Sequence, residues 1–139
     1  MTSTAGSYLP ALRTTLRSTA AAYGYTLTIA TTAAELTTVR GKPHAGQLFL
    51  FVAGGLTAFA VLEGLLRALR SADEQAPETA FPFAGALNFL SVSAGLGAAI
   101  GLAHAIHSTL AWMAAPLAAT ALYMLVVAVQ IIIVQALRA

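Results

Sequence analysis

The chain has no cysteine, and between residues 79 and 137 it has no Asp, Glu, Lys or Arg. The first absence excludes a disulfide framework, a thiolate metal site and a cysteine nucleophile. The second excludes an ordinary soluble domain, since a chain of 139 residues cannot keep fifty-nine consecutive uncharged residues from water. Only 9% of the residues are charged, against about 25% in a typical soluble domain. The formal net charge of +2 is far too small for a nucleic-acid footprint, so no nucleic-acid partner is expected. Also missing are a Gly-x-Ser-x-Gly elbow, a phosphate-binding glycine loop and paired carboxylates outside one short loop. The loops are too short to hold a soluble catalytic domain. No enzyme activity, cofactor or resident metal is expected.

What is present is hydrophobic, at 58% of the chain. As one helix, residues 79–137 would extend roughly 88 Å at about 1.5 Å per residue, nearly three times a hydrocarbon core of about 30 Å. The run must fold back on itself. Backbone groups in hydrocarbon are satisfied only in helices or closed barrels, and the chain lacks the roughly ten-residue alternation of barrel strands. The sequence therefore predicts an all-α membrane protein of one domain, with four transmembrane helices over residues 18–39, 47–69, 81–104 and 110–137. Ahead of them, Leu9, Leu12 and Leu16 beside Arg13 and Arg17 form a weak amphipathic pattern. That pattern fits a short N-terminal interfacial helix. The Thr-rich segment that follows is too polar for the apolar core of a cleavable signal.

The first span is the least hydrophobic. Tyr25, Thr28, Thr32 and Glu35 fall at i, i+3, i+7 and i+10 and so share one helical face. Such a stripe faces protein or water rather than lipid. Its hydroxyls either bond back to carbonyls four residues earlier or line a water-accessible path. In the second span Gly54 and Ala58 form a small-residue seam, and Glu63 with Arg67 makes an i, i+4 pair. Residues 71–78 are a solvated acidic loop. In the third span Asn88, Ser91 and Gly95 share one face; Gly97, Gly101 and His104 share another. The fourth span carries Pro116, with Tyr123 and Gln130 on one face and an apolar C-terminal half.

Arg13, Arg17, Arg67, Arg70 and Arg138 fall on one side of the membrane, and Arg40 and Lys42 on the other. This imbalance puts both termini in the cytoplasm, and the Ala-, Gly- and Thr-rich composition suits a prokaryotic inner membrane. Glu35, His104 and His107 then lie near the outer boundary, while Asn88 and Gln130 lie in the inner part. Joined by the threonines, they would form a polar track. Glu35 can bind a cation or relay a proton; otherwise it reaches water at the rim or pairs with Arg40 or Lys42. His104 and His107, at i, i+3 of one helix, could give two nitrogen ligands, but a metal needs a third from Glu35.

In size and span count the chain is similar to small multidrug-resistance transporters and fluoride channels, which work as oligomers, although it carries no motif of either. Four close-packed helices leave little interior for a path. The expected function is a small homo-oligomeric channel or transporter for an ion, a proton or a small polar solute. Its candidate path residues are Tyr25, Thr28, Thr32, Glu35, Asn88, His104 and Gln130. The alternative is a non-catalytic accessory or assembly subunit, whose seams would bind other membrane subunits.

Overall fold

A computed structural model describes residues 5–69 and 84–138, with side chains from residue 22 in the first helix and residue 88 in the third. The acidic loop, Arg70, Pro82 and the side chains of Leu9, Leu12, Arg13, Leu16 and Arg17 lie outside the described residues. The described chain forms four helices: α1 (Ala5–Arg40), α2 (Ala45–Leu69), α3 (Ala84–Ala105) and α4 (Ala111–Arg138). Three stretches are long and apolar enough to cross a membrane: Ala45–Leu65, Asn88–Ala105 and Ala111–Leu137, with mean hydropathies of 2.0, 1.2 and 2.5. The architecture fits an all-α membrane protein.

One boundary differs from expectation. The amphipathic N-terminal stretch and the expected first span are a single helix, α1, of 36 residues, about 54 Å long. No glycine or proline lies between Leu12 and Tyr23 to interrupt it. Its end is well defined. Gly41 adopts φ 81°, and its N–H donates to the Thr37 carbonyl at 2.9 Å; this left-handed C-cap is open to glycine at little steric cost. Pro43 follows. The backbone N–H of His44 donates to the Gln47 side chain at 2.8 Å and so starts α2.

The helices run alternately up and down. α4 is central, packing against α3, α2 and α1, and α3 also packs against α1. α2 reaches α1 through an edge-on contact of the Tyr25 and Phe59 rings, with centroids 5.2 Å apart. Glycine sets the closest approaches. A Cβ at Gly54 would lie 2.2 Å from the Met113 carbonyl oxygen and 3.0 Å from Pro116, so α2 seats backbone-first on α4 at its internal proline. At Gly95 a Cβ would lie 2.9 Å from the Ala119 carbonyl oxygen and 3.0 Å from Thr28, where α3 meets α4 and α1. The buried apolar core, Leu36, Ala99, Ala103, Ala111, Trp112, Ala115 and Ala119, sits toward the two short connections. Its alanines let the backbones approach, and Trp112 fills what remains.

The other glycine pair behaves differently. Positions Gly97 and Gly101 face open space, with nothing within 4 Å of an added Cβ. Phe49, Leu56, Phe89, Val129 and Ile132 are also exposed, as expected of side chains facing lipid tails.

Gly54→Ala is expected to lower the stability of the purified protein in detergent by about 1–3 kcal/mol through overpacking. Gly101→Ala, with nothing packed against it within the chain, is expected to leave the fold of the single chain within about 0.5 kcal/mol of the parent. Thermal unfolding followed by circular dichroism checks both.

Candidate functional site

The polar side chains of α1 meet a simple physical demand. A hydroxyl away from water costs free energy unless it finds an acceptor, and a helix offers one at the carbonyl four residues earlier. Thr26, Thr28, Thr31, Thr32, Thr37 and Thr38 donate to the carbonyls of Ala22, Gly24, Leu27, Thr28, Ala33 and Ala34, at 2.7–2.9 Å. The helix thereby satisfies its own threonines. Thr28 and Thr32 are fully buried, facing the neighbouring helices.

Toward the start of α3 the interior is polar. Tyr123 donates its hydroxyl to Asn88 Oδ1 at 2.9 Å, joining α4 to α3. Ser91 donates to Gln130 Oε1 at 3.2 Å, a second link between the same helices. The Tyr25 hydroxyl of α1 lies 3.4 Å from Thr120 Oγ1, and the Tyr25 and Tyr123 rings are 6.0 Å apart. Asn88 fits because α1 has glycine opposite it: a Cβ at Gly24 would lie 2.2 Å from Asn88 Oδ1. Tyr25, Asn88, Ser91, Thr120, Tyr123 and Gln130 thus form a neutral group of hydroxyls and amides drawn from three helices.

At the opposite end the groups are ionic. Glu35 Oε1 lies 4.0 Å from His104 Nδ1, and that ring nitrogen is 2.9 Å from the Ile100 carbonyl. Arg40 does not take Glu35 as its partner. Its terminal nitrogen donates to the Ala103 carbonyl at 2.6 Å and to the Ile106 carbonyl. A cation thereby caps the electronegative end of α3. Its Nε is buried without a hydrogen-bond partner among the described residues. The Glu63–Arg67 pair forms on the exposed surface of α2.

No family model matches this chain, and no curated protein or solved structure matches it significantly.

Of the seven candidate residues, Tyr25, Asn88 and Gln130 enter the neutral group, and Glu35 and His104 stand together at the other end. Thr28 and Thr32 lie between, and beyond Thr32 the interior is filled by Leu36 and Trp112, at 0% and 2% exposure. His107 lies outside the expected third span, as its bounds imply, and so does not share a helix with His104 as their i, i+3 spacing suggested. α3 ends at Ala105, so His107 lies in the following turn, its Nδ1 3.2 Å from the Ala105 carbonyl. Among the described residues no three His, Asp or Glu side chains gather as a metal would need. Sequence reasoning passed over Thr120, although it stands three residues before Tyr123 and ten before Gln130, on their face of α4. It also passed over the Arg40 cap, which depends on where α3 ends.

Tyr123→Phe is expected to cost about 1 kcal/mol of stability, since it strips one hydrogen bond from Asn88. Thr32→Val keeps the volume and loses only a bond within its own helix, so it should cost no more than about 1 kcal/mol. Trp112→Ala, which leaves a cavity, should cost about 3–5 kcal/mol. Chemical unfolding in mixed micelles ranks the three.

Proposed function

We propose that this chain is a small homo-oligomeric membrane channel or transporter for an ion, a proton or a small polar solute, and not an enzyme. The observation that carries the reading is the neutral oxygen-rich group in which Ser91, Thr120, Tyr123 and Gln130 are buried and Asn88 half-buried among apolar helices. Hydrocarbon disfavours polar side chains, so at membrane depth they face protein or a water-accessible path, and a group of this size can line one. Glu35 and His104 supply an ionisable entrance at the other end.

In this reading α1 is the fourth span, its back-bonded threonines making it compatible with lipid. The bilayer is the inner membrane of a prokaryotic cell, with both termini cytoplasmic on the positive-residue count. Leu36 and Trp112 close the interior between the two polar ends, so conduction requires that layer to shift or a route between protomers. The outward Gly97–Gly101 stripe supports association of copies.

The same closed layer favours a second reading: a non-catalytic assembly subunit of a larger membrane complex, whose buried polar group only fixes helix register.

Flux of cations, anions and protons into liposomes containing the purified protein separates the two. The transport reading expects flux above empty liposomes that falls by about tenfold or more in Glu35→Gln and in Asn88→Leu. No flux of any tested species through a folded oligomer moves the assignment to the assembly subunit.

A further inference from the structure

All three histidines of the chain lie at one end of the bundle. His44 is in the α1–α2 turn, His104 is in the last turn of α3, and His107 is in the α3–α4 turn. All three are exposed, as is Lys42 beside them. The two turns are held together by Arg40, which reaches from the end of α1 to the Ala103 and Ile106 carbonyls. Among the described residues the charged groups around this face are few. α1 offers Glu35 and Arg40, its turn offers Lys42 and His44, α3 offers His104, and the second turn offers His107. α2 has no charged residue before Glu63, and α4 has none before Arg138. With neutral imidazoles, two cations stand against one carboxylate, an excess of one positive charge. With all three protonated the excess is four.

We propose that this end of the bundle is a pH-responsive docking face for the anionic phosphate headgroups of lipids. The inference rests on the bundle standing across a bilayer, and on no conduction through it. An end face at that depth meets headgroups before it meets any soluble anion. Basic side chains at this level attract anionic lipid, and the attraction grows with each added charge. Imidazole takes up its proton between about pH 5 and 8, whereas a phosphodiester stays anionic throughout. Lys42 and Arg40 supply the constant part of the field and the histidines the variable part. Glu35 opposes both, and its closeness to His104 makes it the internal competitor for the protonated ring.

Trp112, at 2% exposure, is shielded from lipid, so the reporter is a thiol-linked fluorophore on Ser108→Cys, an exposed position in the α3–α4 turn of a chain without cysteine. The full-length protein is placed in vesicles of neutral phosphatidylcholine doped with brominated phosphatidylglycerol, and quenching of the label gives the preference for the anionic lipid. The expected result is a preference on the order of tenfold higher at pH 5.5 than at pH 7.5. That rise should vanish in the triple variant His44→Gln, His104→Gln, His107→Gln and shrink in each single variant. Glu35→Gln should raise the preference at both pH values.

A preference without pH dependence overturns the proposal. So does an undiminished rise in the triple variant that keeps its helical spectrum. A third arm adds millimolar inorganic phosphate. If it displaces the lipid, the face serves a soluble anion and the headgroup assignment is wrong; if it leaves the quenching unchanged, the assignment stands. Ion flux plays no part in the readout, so failure here and failure of the transport reading are separable.

Discussion

The structure depends on how α1 disposes of its hydroxyls. Six threonines within thirteen residues would make this helix a poor resident of hydrocarbon if each needed a water molecule. Each instead donates to a carbonyl of its own helix, so the polar atoms are spent before the helix meets its neighbours. What remains outward is methyl and methylene surface. That lets Thr28 and Thr32 be fully buried against α3 and α4, and lets α3 come close enough for Gly95 to touch Thr28. A hydroxyl seeking a partner across the interface would hold those backbones apart.

From that seam the interior divides into two halves of different chemistry. Toward the short connections it is alanine, Leu36 and Trp112, packed close because the side chains are small and one large ring takes up the space left. Toward the other end it is Tyr, Asn, Ser, Thr and Gln, all hydrogen-bonded across helices. The apolar half supplies close packing. The polar half supplies register, since a hydrogen-bonded amide tolerates little sliding. An ionic rim of Glu35, His104 and Arg40 lies beyond the apolar half. The functional proposals differ in what they ask of this arrangement: transport needs the apolar layer to open, whereas headgroup docking needs only the rim.

Much of the fold was legible because hydropathy and its interruptions are one-dimensional. The expected 47–69, 81–104 and 110–137 correspond closely to α2, α3 and α4. The shared face of Asn88, Ser91 and Gly95 points into the protein, and Gly54 with Ala58 forms a seam against α4. Other features depend on neighbours that a single helix does not specify. Gly54 and Gly101 look alike in sequence, yet one touches a carbonyl and the other faces open space. Arg40 could as well have met Glu35, and its choice of the α3 carbonyls follows from where α3 stops. That stop at Ala105 is marked by no glycine or proline, so hydropathy places it only approximately and the i, i+3 spacing of His104 and His107 looks helical in sequence. The continuity of α1 was hidden for the opposite reason, since its polar beginning and middle differ in composition but not in helical propensity.

In the proposed topology α1, despite its hydroxyl content, crosses the bilayer because it satisfies its own polar atoms. The absence of cysteine makes a direct test straightforward. Ser7→Cys near the start of α1 and Lys42→Cys just past its end would each be labelled, one at a time, with a membrane-impermeant thiol reagent in sealed, oriented vesicles. Labelling of the two positions from opposite sides of the membrane is the expected result. Labelling of both from the same side would mean that α1 lies along the surface, and the account would be wrong.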